Sequence, residues 1–151
     1  MGIGFMRTLA LAASVVLVVA LAALWYWRTL APARAAEVAT IAAPSGGLMW
    51  QVEIFGRAGE AGSLSVHAGA LAAPPTGRDY ELWALPKAGA PVSLGLLPYR
   101  ETTARRALTP IQRQALADST QLAVSVEPPG GSPTGQPTGA VVFVVPLHVV
   151  G

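Results

Sequence analysis

Cysteine is absent from the 151 residues, and histidine occurs only at His67 and His148. Without thiols the chain can form no disulfide framework, zinc ribbon, iron–sulfur centre or cysteine nucleophile, although the redox character of its compartment stays open. Two histidines are too few for a three-histidine centre and lack the i, i+4 pairing of a zincin, so no metal and no cofactor is expected. Charge is scarce as well: Asp, Glu, Lys and Arg make up 12% of the chain, about half the share usual in soluble domains. The formal charge of +2 is too small a surplus to call for a polyanion, and no nucleic-acid partner is expected. Lys87 is the only lysine and falls in a turn, which excludes a GxxxxGK[ST] phosphate loop. A GxSxG elbow is missing too, because Gly130-Gly131-Ser132-Pro133-Thr134 lacks the closing glycine and lies between strands. With neither a nucleophile nor converging acids, the chain is not expected to be an enzyme. The one basic cluster, Arg100, Arg105, Arg106 and Arg113, reads as a solvated face.

What the sequence does have is one long apolar run. Residues 8–27, from Thr8 to Trp27, carry no charge, and about 20 such residues make a helix that crosses a hydrocarbon core of roughly 30 Å. Leu and Val each favour insertion by about 0.3 to 0.6 kcal/mol and together outweigh Thr8 and Ser14. Trp25, Tyr26 and Trp27 match an interfacial aromatic belt, and Arg7 and Arg28 bracket the run. The reading is a short segment at 1–7 followed by a single transmembrane helix at 8–27. A cleaved signal peptide is the competing reading, with Arg7 as its basic start and Ala33-Arg34-Ala35 as its cleavage site. The run is longer than the roughly 7 to 15 residues of a signal core. Flanking positive charge nearly balances, so orientation is not set by it. Residues 28–47 are rich in Ala and Pro and read as a tether, with a first strand over Glu37 to Ala43 as the alternative.

Beyond Gly47 the hydrophobic period falls to two. In Leu48 to Phe55, Trp50, Val52 and Ile54 share one face and Gln51 and Glu53 the other, which predicts a half-buried strand. Ser63 to Ala68 alternates in the same way and completes a hairpin. Asp79 to Leu85 is apolar on both faces and is expected at a sheet centre; Val92 to Leu97 and Gln121 to Glu127 follow as strands. Ala140 to Val145 is wholly apolar and is also expected at a sheet centre. Thr109-Pro110-Ile111-Gln112 has the layout of a capping box and starts a helix running to about Asp118. The fold class is mainly β: a β-sandwich of about six or seven strands with one short helix, occupying residues 48–151.

Directly after the Gln121 to Glu127 run comes Glu127-Pro128-Pro129-Gly130-Gly131-Ser132-Pro133-Thr134-Gly135-Gln136-Pro137-Thr138-Gly139. Joined to Leu122-Ala123-Val124-Ser125-Val126, this segment closely resembles the signature of the C-terminal domain of anti-sigma-K factors (RskA-type). Trp50-Gln51-Val52, and Tyr80-Glu81-Leu82-Trp83 followed by Pro91-Val92-Ser93-Leu94-Gly95, agree with that family in type and order. The resemblance spans about Met49 to Phe143.

It implies a single-pass protein of the cytoplasmic (plasma) membrane whose β-rich domain is extracytoplasmic. Such a domain regulates sigma-factor-dependent transcription through signal-dependent proteolysis and protein contacts. The implied partners are the lipid bilayer, envelope proteases and a sigma-factor system. Met1 to Arg7 are too few for the family's N-terminal sigma-binding domain, so direct sigma binding is not expected of these residues. The implied signature loop is Glu127, Pro128, Gly130, Gly131, Ser132, Pro133, Thr134, Gly135, Pro137, Thr138 and Gly139, and the signature core is Trp50, Tyr80, Leu82 and Trp83. Glycines and prolines with hydroxyl neighbours can fix such a loop without regular structure, either as a structural staple or as a contact surface. The alternative function is a membrane-tethered cell-envelope binding module unrelated to sigma control.

Overall fold

The computed structural model describes residues 16–25, 35–56 and 62–150. The chain divides into two units, Met1–Ala33 and Arg34–Gly151. In the first, residues 16–25 form a helix, α1, with exposed apolar side chains. Among the described residues no helix is long and apolar enough to cross a membrane. The expected span of 8–27 lies partly outside them, at 8–15 and 26–27.

Among its described residues the second unit holds nine strands and a helix: β1 (Ala35–Ala42), β2 (Leu48–Phe55), β3 (Ser63–Ala68), β4 (Asp79–Pro86), β5 (Val92–Leu96), β6 (Thr103–Ala107), α2 (Pro110–Ala117), β7 (Ser119–Glu127), β8 (Val141–Pro146) and β9 (His148–Val149). They form a five-stranded sheet in the order β6-β3-β2-β1-β9 and a four-stranded sheet in the order β5-β4-β7-β8. Every pairing is antiparallel. Alternation explains the packing. Ile41, Val52, Ile54, Leu64 and Val66 of the first sheet meet Leu82, Ala84, Leu94, Leu122 and Val124 of the second in one buried cluster. At its centre Trp50 is wholly buried, donates from Nε1 to the Pro98 carbonyl (2.7 Å), and lies edge-on to Tyr80 (5.0 Å) and Phe143 (6.1 Å between ring centroids).

Helix α2 starts as its sequence dictates. Thr109 Oγ1 accepts from the Gln112 amide (3.2 Å), and Gln112 Oε1 accepts from the Thr109 amide (3.0 Å). Gln112 Nε2 also donates to the Ser93 carbonyl (2.9 Å), tying the helix to β5, while Ala115 and Leu116 are buried.

Four expectations need correction. First, the tether reading gives way at residues 35–42 to the alternative of a first strand: Ala35–Ala42, against the expected Glu37 to Ala43, is strand β1, paired with β2, and Ala39 and Ile41 bury completely in the core. Second, Val141–Pro146 is an edge strand instead of a central one. Phe143 and Val145 pack against the core, whereas Val142 and Val144 are exposed on the other face. Third, two strands, β6 and β9, add to the expected set. Fourth, the arginine cluster is not one solvated face. On β6, Arg106 lies opposite Leu64 on the core side, and its guanidinium donates to the carbonyls of Leu94 (3.0 Å) and Leu96 (2.5 Å). One side chain thus bolts the edge of the first sheet to the edge of the second. Burial lowers its pKa, although a guanidinium keeps its charge. Gly95, at φ +97°, leaves the space the guanidinium occupies; a Cβ there would collide with Nη1.

Candidate functional site: the loop over the second sheet

Strand β4 turns Leu82 and Ala84 inward, so Asp79, Glu81 and Trp83 point away from the core; cross-strand pairing places Ala123, Ser125 and Glu127 of β7 on the same outer face. An outer face normally meets water, yet here Trp83, Ser125 and Glu127 are wholly buried and Glu81 is 7% exposed. The cover is the segment between β7 and β8, residues 128–140, which contains no strand or helix.

Three carboxylates hold it. Asp79 Oδ2 accepts from the Gly130 amide (2.8 Å), and Glu81 Oε2 accepts from the Ser132 amide (2.7 Å). The other oxygen of Glu81 accepts from Ser93 Oγ (2.5 Å). Farther along, Gln136 Nε2 reaches the Pro91 carbonyl (3.2 Å) beyond β4, so the anchor points at Glu81 and Pro91 straddle Trp83. The chain then returns to Glu127, whose carboxylate accepts from the Thr138 amide (3.0 Å), the Gly139 amide (3.2 Å), Thr138 Oγ1 and Ser125 Oγ (2.6 Å). Ser125 Oγ in turn accepts from Trp83 Nε1 (2.8 Å). The result is a continuous relay from indole to hydroxyl to carboxylate to the returning loop.

Desolvation alone would push the Glu127 pKa upward. The Ser125 and Thr138 hydroxyls and the Gly139 and Thr138 amides outweigh it, and the carboxyl sits below its ordinary value, ionised although buried. Among the described residues no buried side-chain polar atom lacks a partner. At Gly139 the loop passes so close to the Val126 carbonyl that a Cβ would overlap it; only glycine fits there.

Within the loop, Ser132 Oγ donates to the Gln136 carbonyl and lies 3.2 Å from Thr134 Oγ1. Pro133, Thr134 and Gly135 form the exposed tip; Pro128, Gly131 and Pro137 are half-buried, and Gly130 is exposed. The named core residues separate into two groups. Trp50, Tyr80 and Leu82 meet inside the sandwich, whereas Trp83 lies beneath the loop. Sequence reasoning missed Asp79 and Ser125 as anchors and used Glu81 only as part of a motif. The available signal was the recurrence of polar residues every second position on β4 and at the end of β7, strands otherwise rich in buried residues.

The chemistry of the arrangement is acceptor chemistry directed inward. Every carboxylate oxygen that holds the loop faces an amide or hydroxyl of the same chain. His67 lies on β3, exposed and 2.9 Å from Thr103 Oγ1, on the outer face of the other sheet. His148 is on β9. Among the described residues no cluster of three His, Cys, Asp or Glu side chains is placed to hold a metal.

Residues 8–141 match the family model described as anti-sigma-K factor rskA, C-terminal. No curated protein and no solved structure matches the chain.

Proposed function

Because the chain belongs to the anti-sigma-K factor C-terminal family, we propose that it is the membrane-anchored, extracytoplasmic regulatory module of an anti-sigma system. It controls sigma-dependent transcription by protein contact and by gating signal-dependent proteolysis of its anchor. The observation that carries this reading is the extent of the match. The matched region begins at Thr8, where the apolar run begins, and continues through the signature loop, so run and sandwich travel as one family unit. That supports a retained anchor over a signal segment removed on export. The loop geometry supports contact over catalysis, since its carboxylates and hydroxyls are consumed in holding the chain to itself.

In this reading the loop is the structural staple that keeps the outer face of the second sheet rigid, and its exposed tip at Pro133, Thr134 and Gly135 is what a partner meets. The bilayer holds the anchor, an envelope protease cuts near it, and a sigma factor responds.

The test is a set of sigma-dependent transcriptional reporters in cells with and without the chain, combined with fractionation. Removal is expected to change the output of one sigma regulon, with the polypeptide recovered in the membrane fraction. Reporters indifferent to the chain would instead favour a cell-envelope binding module. Recovery of a soluble product trimmed near Ala35 would remove the anchor from the account.

A further inference from the structure

The strand that opens the sandwich is held unevenly along its two edges. Strand β1 pairs with β2 from Ala35 to Ala42, but the register slips between Ala35 and Glu37, so Ala36 has no opposite number on β2. On the other edge β9 closes that gap. Val149 pairs with Glu37, His148 pairs with Val38, and the Val150 amide donates to the Ala36 carbonyl (2.9 Å). The residues least well secured by β2 are therefore those that β9 secures.

The grip of β9 is backbone only. It is two residues long, with Val149 78% and Val150 51% exposed, so it buries little apolar surface. Its neighbours are firm. Leu147 packs against the core and its amide donates to the Thr120 carbonyl (2.9 Å), while Ala39 and Ile41, farther along β1, are wholly buried. Detaching β9 gives up a few solvent-side hydrogen bonds and leaves the core untouched. Segments of this kind open far more easily than the domain unfolds. β1 is also, in chain order, the strand that opens the Arg34–Gly151 unit.

We propose that β9 is a releasable latch on the start of β1, and that its release presents residues 35–38 as an extended strand to a protease. Proteases take extended backbone with free N–H and C=O groups, and pairing on both edges denies it to them. With β9 in place residues 36–38 are covered; with β9 displaced their outer edge is open. This deepens the regulatory reading above, on which it rests: the signal need only pull on, or compete for, a two-residue strand.

The test uses the full chain in detergent micelles or nanodiscs, treated with a low dose of subtilisin, with cut sites mapped by mass spectrometry. Three variants are compared with the parent: a chain ending at Leu147, Val150→Pro, which removes the amide that holds Ala36, and Val150→Ala, which keeps it. Cutting of an exposed strand follows the population of the open form, and losing one or two hydrogen bonds changes that population about tenfold. The shortened chain is expected to be cut within residues 35–38 about tenfold faster, with a denaturant midpoint, by tryptophan fluorescence, lowered by no more than those one or two hydrogen bonds contribute. Val150→Pro should shift the rate in the same direction by less, and Val150→Ala should match the parent. An unchanged rate in the shortened chain would overturn the latch and leave the sigma reading standing, because purified protein and subtilisin involve no sigma factor. A midpoint that collapses, with new cuts throughout the sandwich, would equally overturn it by making β9 part of the global fold. Sigma reporters that ignore the chain, together with faster cutting of the shortened form, would retain the latch and remove the sigma reading.

Discussion

Residues 128–140 have no regular structure and are among the most firmly attached parts of the molecule, whereas β9 is a strand by its pairing and is among the least. The difference lies in what each segment satisfies. The loop presents amides and hydroxyls to the carboxylates of Asp79, Glu81 and Glu127, and in doing so buries Trp83. Bonds to ionised acceptors contribute roughly twice what neutral ones do, and a buried carboxylate stripped of its donors is costly. Strand β9 offers ordinary backbone pairs at a solvent-exposed margin, and Val149, with Val150 just after it, stays largely in water. Regular geometry and firmness are separate properties here, and the family signature marks the firm irregular segment.

The sharpest way to break that comparison is to remove the acceptor at its centre. Glu127→Ala leaves Ser125, Thr138 and Gly139 donors facing a cavity, at about 1 to 3 kcal/mol for each one stranded. The expected loss is about 4 kcal/mol, comparable with the roughly 3 to 5 kcal/mol expected for Trp50→Ala in the sandwich core. Chemical denaturation of both variants checks the pair. A loss below about 1 kcal/mol for Glu127→Ala, with Trp50→Ala behaving as expected, would mean the loop rides on the sheet without stabilising it.

Much of the sandwich was legible because period-two alternation reports burial on one face. Leu48–Phe55 and Ser63–Ala68 stand where their patterns put them, and the Thr109 and Gln112 pair announced α2. Alternation misled where burial came from something other than a second sheet. The wholly apolar Val141–Pro146 looks two-faced in sequence, but Val142 and Val144 face solvent. Strand β6 was concealed by Arg105 and Arg106, because a guanidinium that reaches two carbonyls can occupy a core-side position no charge pattern would assign to it. The anchors of the loop were concealed in the opposite way. Asp79, Glu81 and Ser125 sit at positions that alternation gives to water, and it is the returning chain of residues 128–140 that covers Glu81 and Ser125 and occupies Asp79 Oδ2. The signature loop itself was visible as a resemblance; its attachment was not.

A second, smaller test concerns shape in place of charge. Gly139→Ala forces a methyl group against the Val126 carbonyl, so the loop must shift at the point where its amide meets Glu127. Overpacking of this kind costs about 1 to 3 kcal/mol. The same substitution at Gly46, where a Cβ would have open space, acts only through its φ of +94° and should cost about 1 kcal/mol. Equal losses at the two glycines would show that the loop yields to accommodate the methyl, and hence that its attachment is soft.

The finest contrast between loop and margin is a matter of pH sign. Glu127, at the end of β7 beneath the loop, has a lowered pKa. Desolvation opposes its charge, but the Ser125, Thr138 and Gly139 donors outweigh that penalty, so its stabilisation is present above the unfolded value and is lost as acid protonates the folded carboxyl. Glu37 at the margin has a raised pKa from burial alone, so its ionisation costs the folded state and its contribution declines as pH rises through the unfolded value toward the raised folded one. Denaturant midpoints measured between about pH 3 and pH 6 should separate the two. Glu127→Gln should flatten the fall in stability on the acid side, whereas Glu37→Gln should relieve a loss on the less acidic side and leave the acid limb as in the parent. Should both substitutions flatten the same limb, the two carboxylates would share one kind of environment, and the distinction between a donor-filled loop and a sparsely held strand margin would no longer hold.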